Sequence, residues 1–371
     1  MRGADEGAER MGDAAAEGAG AGSTGAPRAD GAPATAADPP EPAAPGPRRG
    51  LRVLRARIPR TGAARGRRRG AVIAGCGLLT AVLLVLPGAV PNAGPRAGSL
   101  LETFLPWLGA PALLLAVAAL VRRAPAALAA SALPLAAWLV LFGPMLLPAG
   151  PGGHDLTAVQ HNVSDENADP AGTARALLRA APELIALQEL TPEALPAYRE
   201  VLEPRYPHHA VVGSVGLWSV HPLQDARRVD IRPQGFDPAW NRGLRATLRV
   251  PSGDLAVYVA HLPSMRLGVP EGLRSGPRDE AAALLGEVLA EDGAERTLLL
   301  GDLNGTVDDR GLAPVTSRLG VHGPGFAFSW PASLPVARID HVLARGAAVV
   351  RIDPLPATGS DHLPVVARIR L

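Results

Sequence analysis

The sequence predicts an α/β fold in its second half, with two packed β-sheets and helices on their outer faces, preceded by a helical membrane region. From residue 155 onward, short β-type runs alternate with helical stretches. Three apolar segments, each close to the roughly 20 residues that a spanning helix needs, come before them. A Pro/Gly linker at 148–154 separates the two parts, so the chain should contain a tail, a membrane region and one domain over 155–371.

The N-terminal tail, residues 1–70, is predicted to be disordered and cytoplasmic. Its first 47 residues are mainly Ala, Gly, Pro, Asp and Glu, so burial of apolar groups cannot offset the loss of chain entropy. Residues 48–69 contain ten arginines and no acid, directly before an apolar segment. This pattern is typical of a cytoplasmic anchor.

The membrane region, residues 71–147, is predicted to form three transmembrane helices at about 71–90, 100–121 and 126–147. Their prolines are tolerated in a membrane where neighbouring helices satisfy the backbone. Arg122 and Arg123 indicate a second inner turn, so three crossings would place the rest of the chain outside. A cleaved export signal is the rival interpretation, because small residues at 89–93 follow the first segment; the two later spans would still retain the domain.

The charge is distributed unevenly between the two halves. Residues 1–154 hold 16 Arg and 9 acids, giving +7, whereas residues 155–371 hold 21 Arg and 26 acids, giving −5. The acidic domain lacks the basic footprint that binding of nucleic acid without sequence preference requires. Cys76 is the only cysteine and lies in an apolar run, so the sequence excludes an intrachain disulfide and a cysteine-based metal site.

The predicted elements of the domain follow the apolar patterning. Their residue ranges are 156–163, 184–187, 210–212, 244–250, 255–261, 297–300, 339–343 and 365–369 for strands, and 173–181, 191–202 and 279–290 for helices. Thr191 and Pro192 provide a plausible N-cap and first turn for the second of these helices.

Acidic, amide and imidazole side chains recur at the C-terminal ends of these strands. They are Asn162, Glu189, His261, Asp302, Asn304, Asp340, Asp361 and His362. A fold that places strand ends at one rim would gather them into one cleft. Such a set provides what phosphoester hydrolysis requires: ligands for a cation, a group to activate water and hydrogen-bond donors. Carboxylates and amides are hard oxygen ligands, which favours Mg²⁺ or Mn²⁺ over zinc.

Six short motifs contain these residues, and their order along the chain is informative. They read Val159-Gln160-His161-Asn162, Leu187-Gln188-Glu189, Ala260-His261-Leu262, Gly301-Asp302-Leu303-Asn304, Arg338-Ile339-Asp340-His341 and Ser360-Asp361-His362. Each motif alone is weak, but the ordered set resembles the successive signatures of the endonuclease/exonuclease/phosphatase superfamily. The resemblance covers the domain end to end and implies a four-layer α/β sandwich.

The resemblance also implies a metal site. Asn162 and Glu189 would hold the metal ion, and Asp361 would serve the metal side. In one respect the chain departs from the family pattern: many relatives carry Ser-Arg or Ser-Lys before a proline, whereas residues 218–222 read Trp-Ser-Val-His-Pro. Substrate contact by a basic residue at that position is therefore not expected.

Catalytic roles are implied for five further positions. His261 would contact the phosphate or act as an acid, and Asp302 would orient or deprotonate the attacking water. Asn304 would donate to a phosphoryl oxygen. Asp340 would fix the tautomer of His362, whose imidazole meets the phosphate.

Simpler interpretations exist for single motifs. Asp302-Leu303-Asn304 alone fits a strand-end turn, His362 alone a core histidine and Glu189 alone a surface charge. Their joint occurrence favours a site. His208 and His209 in a predicted loop, and the arginine pairs 227/228 and 242/245, are left outside it because such residues more often lie at solvated edges.

The sequence therefore predicts a membrane-anchored, metal-dependent phosphoesterase at the extracytoplasmic face of the cell membrane, a multi-pass protein acting on a phosphomonoester, phosphodiester or pyrophosphate. Its arrangement resembles the teicoplanin-resistance membrane phosphatases of the same superfamily, which implies an isoprenoid pyrophosphate as substrate. Two alternatives remain. One is an extracytoplasmic nuclease acting on DNA or RNA. The other is a catalytically inactive membrane-bound binding module; the presence of a catalytic residue type at every matched position argues against it.

Overall fold

The computed structural model describes residues 61–94, 96–147, 153–268, 272–320 and 324–371. Most of the predicted tail, residues 1–60, and the linker residues 148–152 lie outside this part of the chain. All described residues belong to one compact unit, so contacts between the helical region and the domain can be discussed directly.

The helical region contains four α-helices: α1 (Thr61–Val85), α2 (Ala97–Thr103), α3 (Gly109–Val121) and α4 (Pro125–Phe142). α1 and α4 are each long and apolar enough to cross a membrane. Among the residues that the structure describes, there is a third span only if α2 and the helical stretch Leu105–Val121, which are bent by 74° relative to each other, are counted as one. The bend lies next to Pro106, which lacks the N–H that a continuous helix would use. α1 also begins ten residues before the predicted start and contains part of the arginine-rich segment.

Two mixed β-sheets form the centre of the domain. The strands of sheet A are β1 (Leu156–Asn162), β2 (Leu184–Gln188), β3 (His208–Val212), β4 (Val215–Ser219), β12 (Ala348–Pro354) and β13 (Val365–Arg370). Those of sheet B are β5 (Leu223–Arg228), β6 (Gly243–Val250), β7 (Gly253–His261), β10 (Thr297–Asp302) and β11 (Asp340–Arg345). Sheet A has the strand order β12-β13-β1-β2-β4-β3, and sheet B has the order β11-β10-β7-β6-β5. A small hairpin, β8 (Arg266–Gly268) and β9 (Gly272–Arg274), stands apart.

The two sheets pack face to face through a continuous apolar core. Leu184 and Leu217 of sheet A and Val257 and Leu298 of sheet B belong to one buried cluster. The outer face of sheet A packs on α5 (Pro170–Leu178) and α6 (Leu195–Leu202), and that of sheet B on α7 (Gly276–Glu291) and α8 (Ala313–Thr316). The layers are therefore helix, sheet, sheet and helix, which confirms the predicted four-layer sandwich.

α2 and the turn before it form one of the contacts between the helical region and the domain. The buried carboxylate of Glu102 accepts hydrogen bonds from the side chain and backbone of Arg310, whose guanidinium also donates to the carbonyl oxygens of Pro87 and Val90. Arg96 pairs with Asp279 at the start of α7. The end of α1, helix α2 and the domain therefore lie at the same end of the helical region.

Candidate active site

The site forms because side chains on the inner faces of the strands continue beyond the apolar core as polar residues. On β1, Leu156 and Ala158 point into the space between the sheets, and the same face continues with Gln160 and Asn162. On β10, Leu298 and Leu300 are followed in the same way by Asp302. Polar side chains at the last strand positions therefore face each other where the apolar filling of the sandwich ends.

Strand pairing brings the remaining residues to the same edge. His261 ends β7 and is paired in register with Asp302, because β7 and β10 are parallel. Asp340 is also paired with Asp302, but it begins β11 rather than ending a strand, because β11 runs antiparallel to β10. His362 lies in the loop before β13, which is antiparallel to β1. The expectation that these residues follow the C-terminal ends of strands was therefore wrong for Asp340, Asp361 and His362, because Asp340 begins a strand and the other two lie in the loop before β13.

Asn162, Glu189 and Asp302 form the open side of the site. Asn162 Nδ2 donates to Glu189 Oε1 and to Asp302 Oδ2, each at 3.0 Å. Asn162 and Asp302 are buried, whereas the Glu189 side chain is 26% exposed and can reach a ligand from solvent. Glu189 has a φ of 60°, a left-handed conformation that is unfavourable for a residue with a Cβ and that recurs at functional sites.

Asp340 and His362 form a buried pair on the opposite side. His362 Nδ1 donates to Asp340 Oδ2 at 2.8 Å, and Gln160 Nε2 donates to Asp340 Oδ1 at 2.7 Å. Burial alone would lower the pKa of His362, but the charges of Asp340 and Asp302 outweigh it and raise the pKa to about 10. Burial opposes ionisation of Asp340, yet His362 holds its pKa below the usual value. The pair is therefore an imidazolium and a carboxylate at neutral pH.

His261 lies between the two carboxylates of the open side. Its Nε2 is 3.6 Å from both Glu189 Oε1 and Asp302 Oδ2. Burial, with the nearby positive charges of Arg242 and His362, lowers its pKa well below the ordinary value, so the ring is neutral. Burial raises the pKa of Asp302 to about 7, against the opposing charge of His362, 3.9 Å away.

Arg242 belongs to the site although the sequence analysis left it outside. One of its guanidinium nitrogens lies 3.0 Å from His261 Nδ1 and 3.3 Å from His261 Nε2, and because a guanidinium can only donate, it donates to whichever ring nitrogen carries no hydrogen. The residue precedes β6, whose first residue, Gly243, pairs with Ala260 on β7. The predicted strands 244–250 and 255–261 are separated by only four residues, and pairing them as an antiparallel hairpin is the step that could have placed Arg242 opposite His261. A cavity of about 420 Å³ adjoins Arg242 and is also lined by Trp240 and Arg266.

Asn304 and Asp361 lie at the border of the site. Asn304 Nδ2 donates to the carbonyl oxygen of Leu262 at 2.9 Å and to Asp302 Oδ2 at 3.2 Å, and its backbone N–H donates to Asp302 Oδ1. In this arrangement Asn304 holds the Asp302 carboxylate in place. Asp361 is exposed, and its charge contributes to the raised pKa of the neighbouring His362. The predicted roles of both residues toward a phosphoryl group and a metal ion stay predictions.

Two groups of side chains have residue types that could bind a metal ion. Ligand atoms of Asp302, Asp340 and His362 lie within 4.8 Å of one another, a spacing that can hold a cation. Both oxygens of Asp340 and one nitrogen of His362 are already engaged with protein partners, as described above. Glu189 and Asn162 offer a partly exposed carboxylate and an amide beside a second carboxylate, which is a hard-oxygen set. Both oxygens of Glu189 and Oδ1 of Asn162 also accept hydrogen bonds, from Asn162 Nδ2, Asp165 N and Ser164 N. We consider the Glu189–Asn162 side the better fit because Glu189 is the carboxylate that is partly exposed to solvent.

Residues left outside the site by the sequence analysis, other than Arg242, lie elsewhere. His208 and His209 are part of β3, where the His209 ring stacks on Trp218 and its Nε2 lies 3.3 Å from Glu203. Ser219, at the departure from the family pattern, accepts a hydrogen bond from the backbone N–H of His221.

Comparison with protein families identifies the class of this chain. The family model described as "Endonuclease/Exonuclease/phosphatase family" matches residues 159–362, more than half of the chain. The protein therefore belongs to the endonuclease/exonuclease/phosphatase family, whose members are hydrolases of phosphoester bonds. This confirms the family suggested by the six sequence motifs.

Several solved structures are similar to this chain. They include a mutant beta toxin from Staphylococcus aureus with bound magnesium ions, at 16% identity and a TM-score of 0.46, covering 58% of this chain and 99% of that chain. Sphingomyelinase C from Streptomyces griseocarneus is 18% identical with a TM-score of 0.43, covering 57% and 98%. A family protein from Bacteroides thetaiotaomicron is 18% identical with a TM-score of 0.47, covering 58% and 97%. A search of curated protein sequences gives no significant match.

Proposed function

We propose that the protein is an integral membrane phosphoesterase that requires a divalent cation, Mg²⁺ or Mn²⁺, and acts at the extracytoplasmic face. The substrate is a phosphomonoester, a phosphodiester or a pyrophosphate, with a lipid-linked pyrophosphate as the preferred candidate. The observation that carries this proposal is the edge of the sandwich, where three acidic side chains, two imidazoles and an amide converge, each within 3.6 Å of another member of the group.

Glu189 and Asn162 are the proposed metal-binding residues, with Asp361 as an outer contributor. A bound Mg²⁺ ion would neutralise charge on the phosphoryl oxygens. The partial exposure of Glu189 supports this assignment, because a cation and a substrate oxygen can approach it from the same side.

The charge states of the two site histidines support different roles. His362 is protonated and held by Asp340, so it can donate its Nε2 hydrogen to a phosphoryl oxygen or to the leaving oxygen. His261 is neutral, which favours the contact with phosphate over the role of an acid. Asp302, with a pKa of about 7 and facing both rings, is placed to orient and deprotonate water.

The membrane arrangement is supported by the contacts of the helical region. The segment between α1 and α3 contacts the domain, so the two must lie on the same side of the membrane. The turn with Arg122 and Arg123, between α3 and α4, belongs to the opposite end, where Ile73 packs with Ala119 and Ala127. Three crossings that begin with an inner arginine-rich segment satisfy both conditions and would put the domain outside.

Topology reporters test the orientation. Fusions after residues 95, 123 and 371 should report outside, inside and outside, respectively. An inside location for the C-terminal fusion would contradict the extracytoplasmic site and move the substrate to the cytoplasm.

Phosphate release by the purified full-length protein tests the activity. We expect release from an isoprenoid pyrophosphate in detergent with Mg²⁺, none with a chelator and none from Asp302→Ala. Asp254→Ala, an exposed aspartate near the start of β7, is the matched control and should retain activity. Nicking of plasmid DNA without phosphate release would instead support a nuclease, and silence in both assays with all common phosphoesters would support an inactive binding module.

A further inference from the structure

An apolar groove lies between the membrane helices and a loop of the domain. It has a volume of about 450 Å³, within the range of ligand sites. One wall is formed by α3 and the turn before it, a second by α4, and a third by the domain residues Phe326 and Phe328. Leu113 on α3 and Leu139 on α4 line the groove and are both more than half exposed.

The lining exposes almost only carbon, because its polar atoms are bonded elsewhere. The indole N–H of Trp107 donates to the carbonyl oxygen of Val336 at 2.7 Å, and that of Trp138 donates to the carbonyl oxygen of Pro106. Gly109 allows this close approach, since a Cβ at that position would lie 2.6 Å from the Trp138 indole nitrogen. Water in this groove would find few hydrogen-bond partners, so the groove favours a hydrocarbon occupant.

The groove is connected to the active site through one short segment. Phe328 stacks on Trp107, with ring centroids 5.6 Å apart. The next residue, Ser329, accepts hydrogen bonds through its hydroxyl from the backbone N–H groups of Ile339 and Asp340, each at 3.3 Å. Its carbonyl oxygen also accepts from Leu363 N, directly after His362. Phe328 in the groove wall is therefore the chain neighbour of a residue that hydrogen-bonds the backbone of Asp340 and of the residue after His362.

The segment that carries Phe326 and Phe328 also contacts the last membrane helix. Gly325 N donates to the carbonyl oxygen of Met145, at the end of the last membrane helix. Phe326 packs against Trp138 and Phe142 of α4. The segment 325–329 thus contacts the last membrane helix at its start and the backbone of Asp340 at its end.

We propose that this groove holds the hydrocarbon chain of a lipid phosphate whose phosphoryl group lies at Asp302 and His362. This inference rests on the proposed function and assigns its substrate class. The chain would lie along Leu113 and Leu139, with Phe328 where the apolar part of the substrate ends. A soluble substrate with the same reacting group would gain nothing from the groove.

Substrate pairs that differ only in chain length test the inference with the full-length protein in detergent. The pairs are isopentenyl and farnesyl pyrophosphate, and methyl and dodecyl p-nitrophenyl phosphate. The wild-type kcat/KM should be about tenfold or more higher for the long member of the pair whose reacting group the enzyme accepts, as expected for a fitted apolar pocket.

Filling the groove should remove this preference without changing the chemistry. Leu113→Trp should lower kcat/KM for the long substrate about tenfold and leave the short one unchanged. Leu114→Trp is the matched control, because Leu114 is the neighbouring residue, 69% exposed and outside the groove lining. Leu139→Trp, with Val140→Trp as its control, repeats the test from the other wall if the first variant does not fold.

The outcomes distinguish a failure of the groove assignment from a failure of the proposed function. Hydrolysis without a chain-length preference, or a preference that survives both groove variants, overturns the groove assignment and leaves the phosphoesterase in place. Absence of metal-dependent hydrolysis of every pair removes the proposed function and, with it, this inference.

Discussion

Replacement of Asp340 by asparagine tests the proposed role of the buried pair. The asparagine side chain would keep the shape of the aspartate and one oxygen to accept the hydrogen bond from Gln160 Nε2. In place of the negatively charged carboxylate, His362 Nδ1 would face either the NH₂ group or the neutral oxygen of the asparagine amide. The fold should therefore survive, while His362 loses the charge that keeps it protonated.

The size of the effect follows from the charge state of His362. The increase in its pKa from 6.5 to about 10 corresponds to about 5 kcal/mol of preference for the imidazolium, a value to which Asp302 also contributes. Loss of the main partner should leave most of the ring neutral near pH 8. Because positioned acid–base groups typically contribute about 10²–10⁴-fold, kcat should fall by that factor.

The assay is metal-dependent phosphate release at pH 8 by the wild type, Asp340→Asn and the control Asp353→Asn, whose carboxylate pairs with Arg351 outside the site. Thermal unfolding in detergent should show that both variants fold. Unchanged kcat in a folded Asp340→Asn protein would refute the role of the pair.

Four further predictions concern other parts of the structure. Arg242→Ala should lower kcat/KM about 10–100-fold, because a charge-assisted hydrogen bond near the phosphate is lost; a normal kcat/KM would exclude Arg242 from the site. Glu102→Gln should destabilise the protein by about 3 kcal/mol, measured by thermal unfolding, because Arg310 loses a buried partner; an unchanged Tm would show that the contact contributes little. Leu298→Ala, between the sheets, should cost about 2–5 kcal/mol in the same assay, and a smaller loss would indicate a loosely packed core. The stability contributed by protonated His362 should be complete below pH 6.5 and disappear as the pH rises toward 10, so the Tm difference between the wild type and His362→Ala should shrink over that range.

Much of the domain could be predicted because its strands have strong apolar patterns. The eight predicted strands all exist, and the four-layer arrangement follows from the family resemblance. β4 was not predicted, because Gly216 interrupts its apolar run, although Trp218 within it is fully buried. β5 carries mostly exposed polar residues and β12 is partly exposed, so neither shows the pattern of a core strand.

The site was predictable in composition but not in its connections. Motif order brought Asp302, Asp340 and His362 together before any geometry was known. Arg242 was left out because arginines on strands more often lie at solvated edges, and only the register with β7 places this one opposite His261. The contact of Glu102 with Arg310 joins residues 208 positions apart and has no local sequence pattern. The groove is formed by three separate segments of the chain, so it has no local sequence pattern either.

The central claim is that the edge of the sandwich beside Glu189 is a metal-dependent phosphoester site. The most direct measurement is the Mg²⁺ dependence of phosphate release by the wild type, Glu189→Gln and the control Glu193→Gln, an exposed glutamate four residues further on. The account predicts that Glu189→Gln requires at least about tenfold more Mg²⁺ for half-maximal activity, or loses activity, whereas Glu193→Gln behaves as the wild type. Equal Mg²⁺ dependence in all three proteins, or release that persists in a chelator, would contradict it.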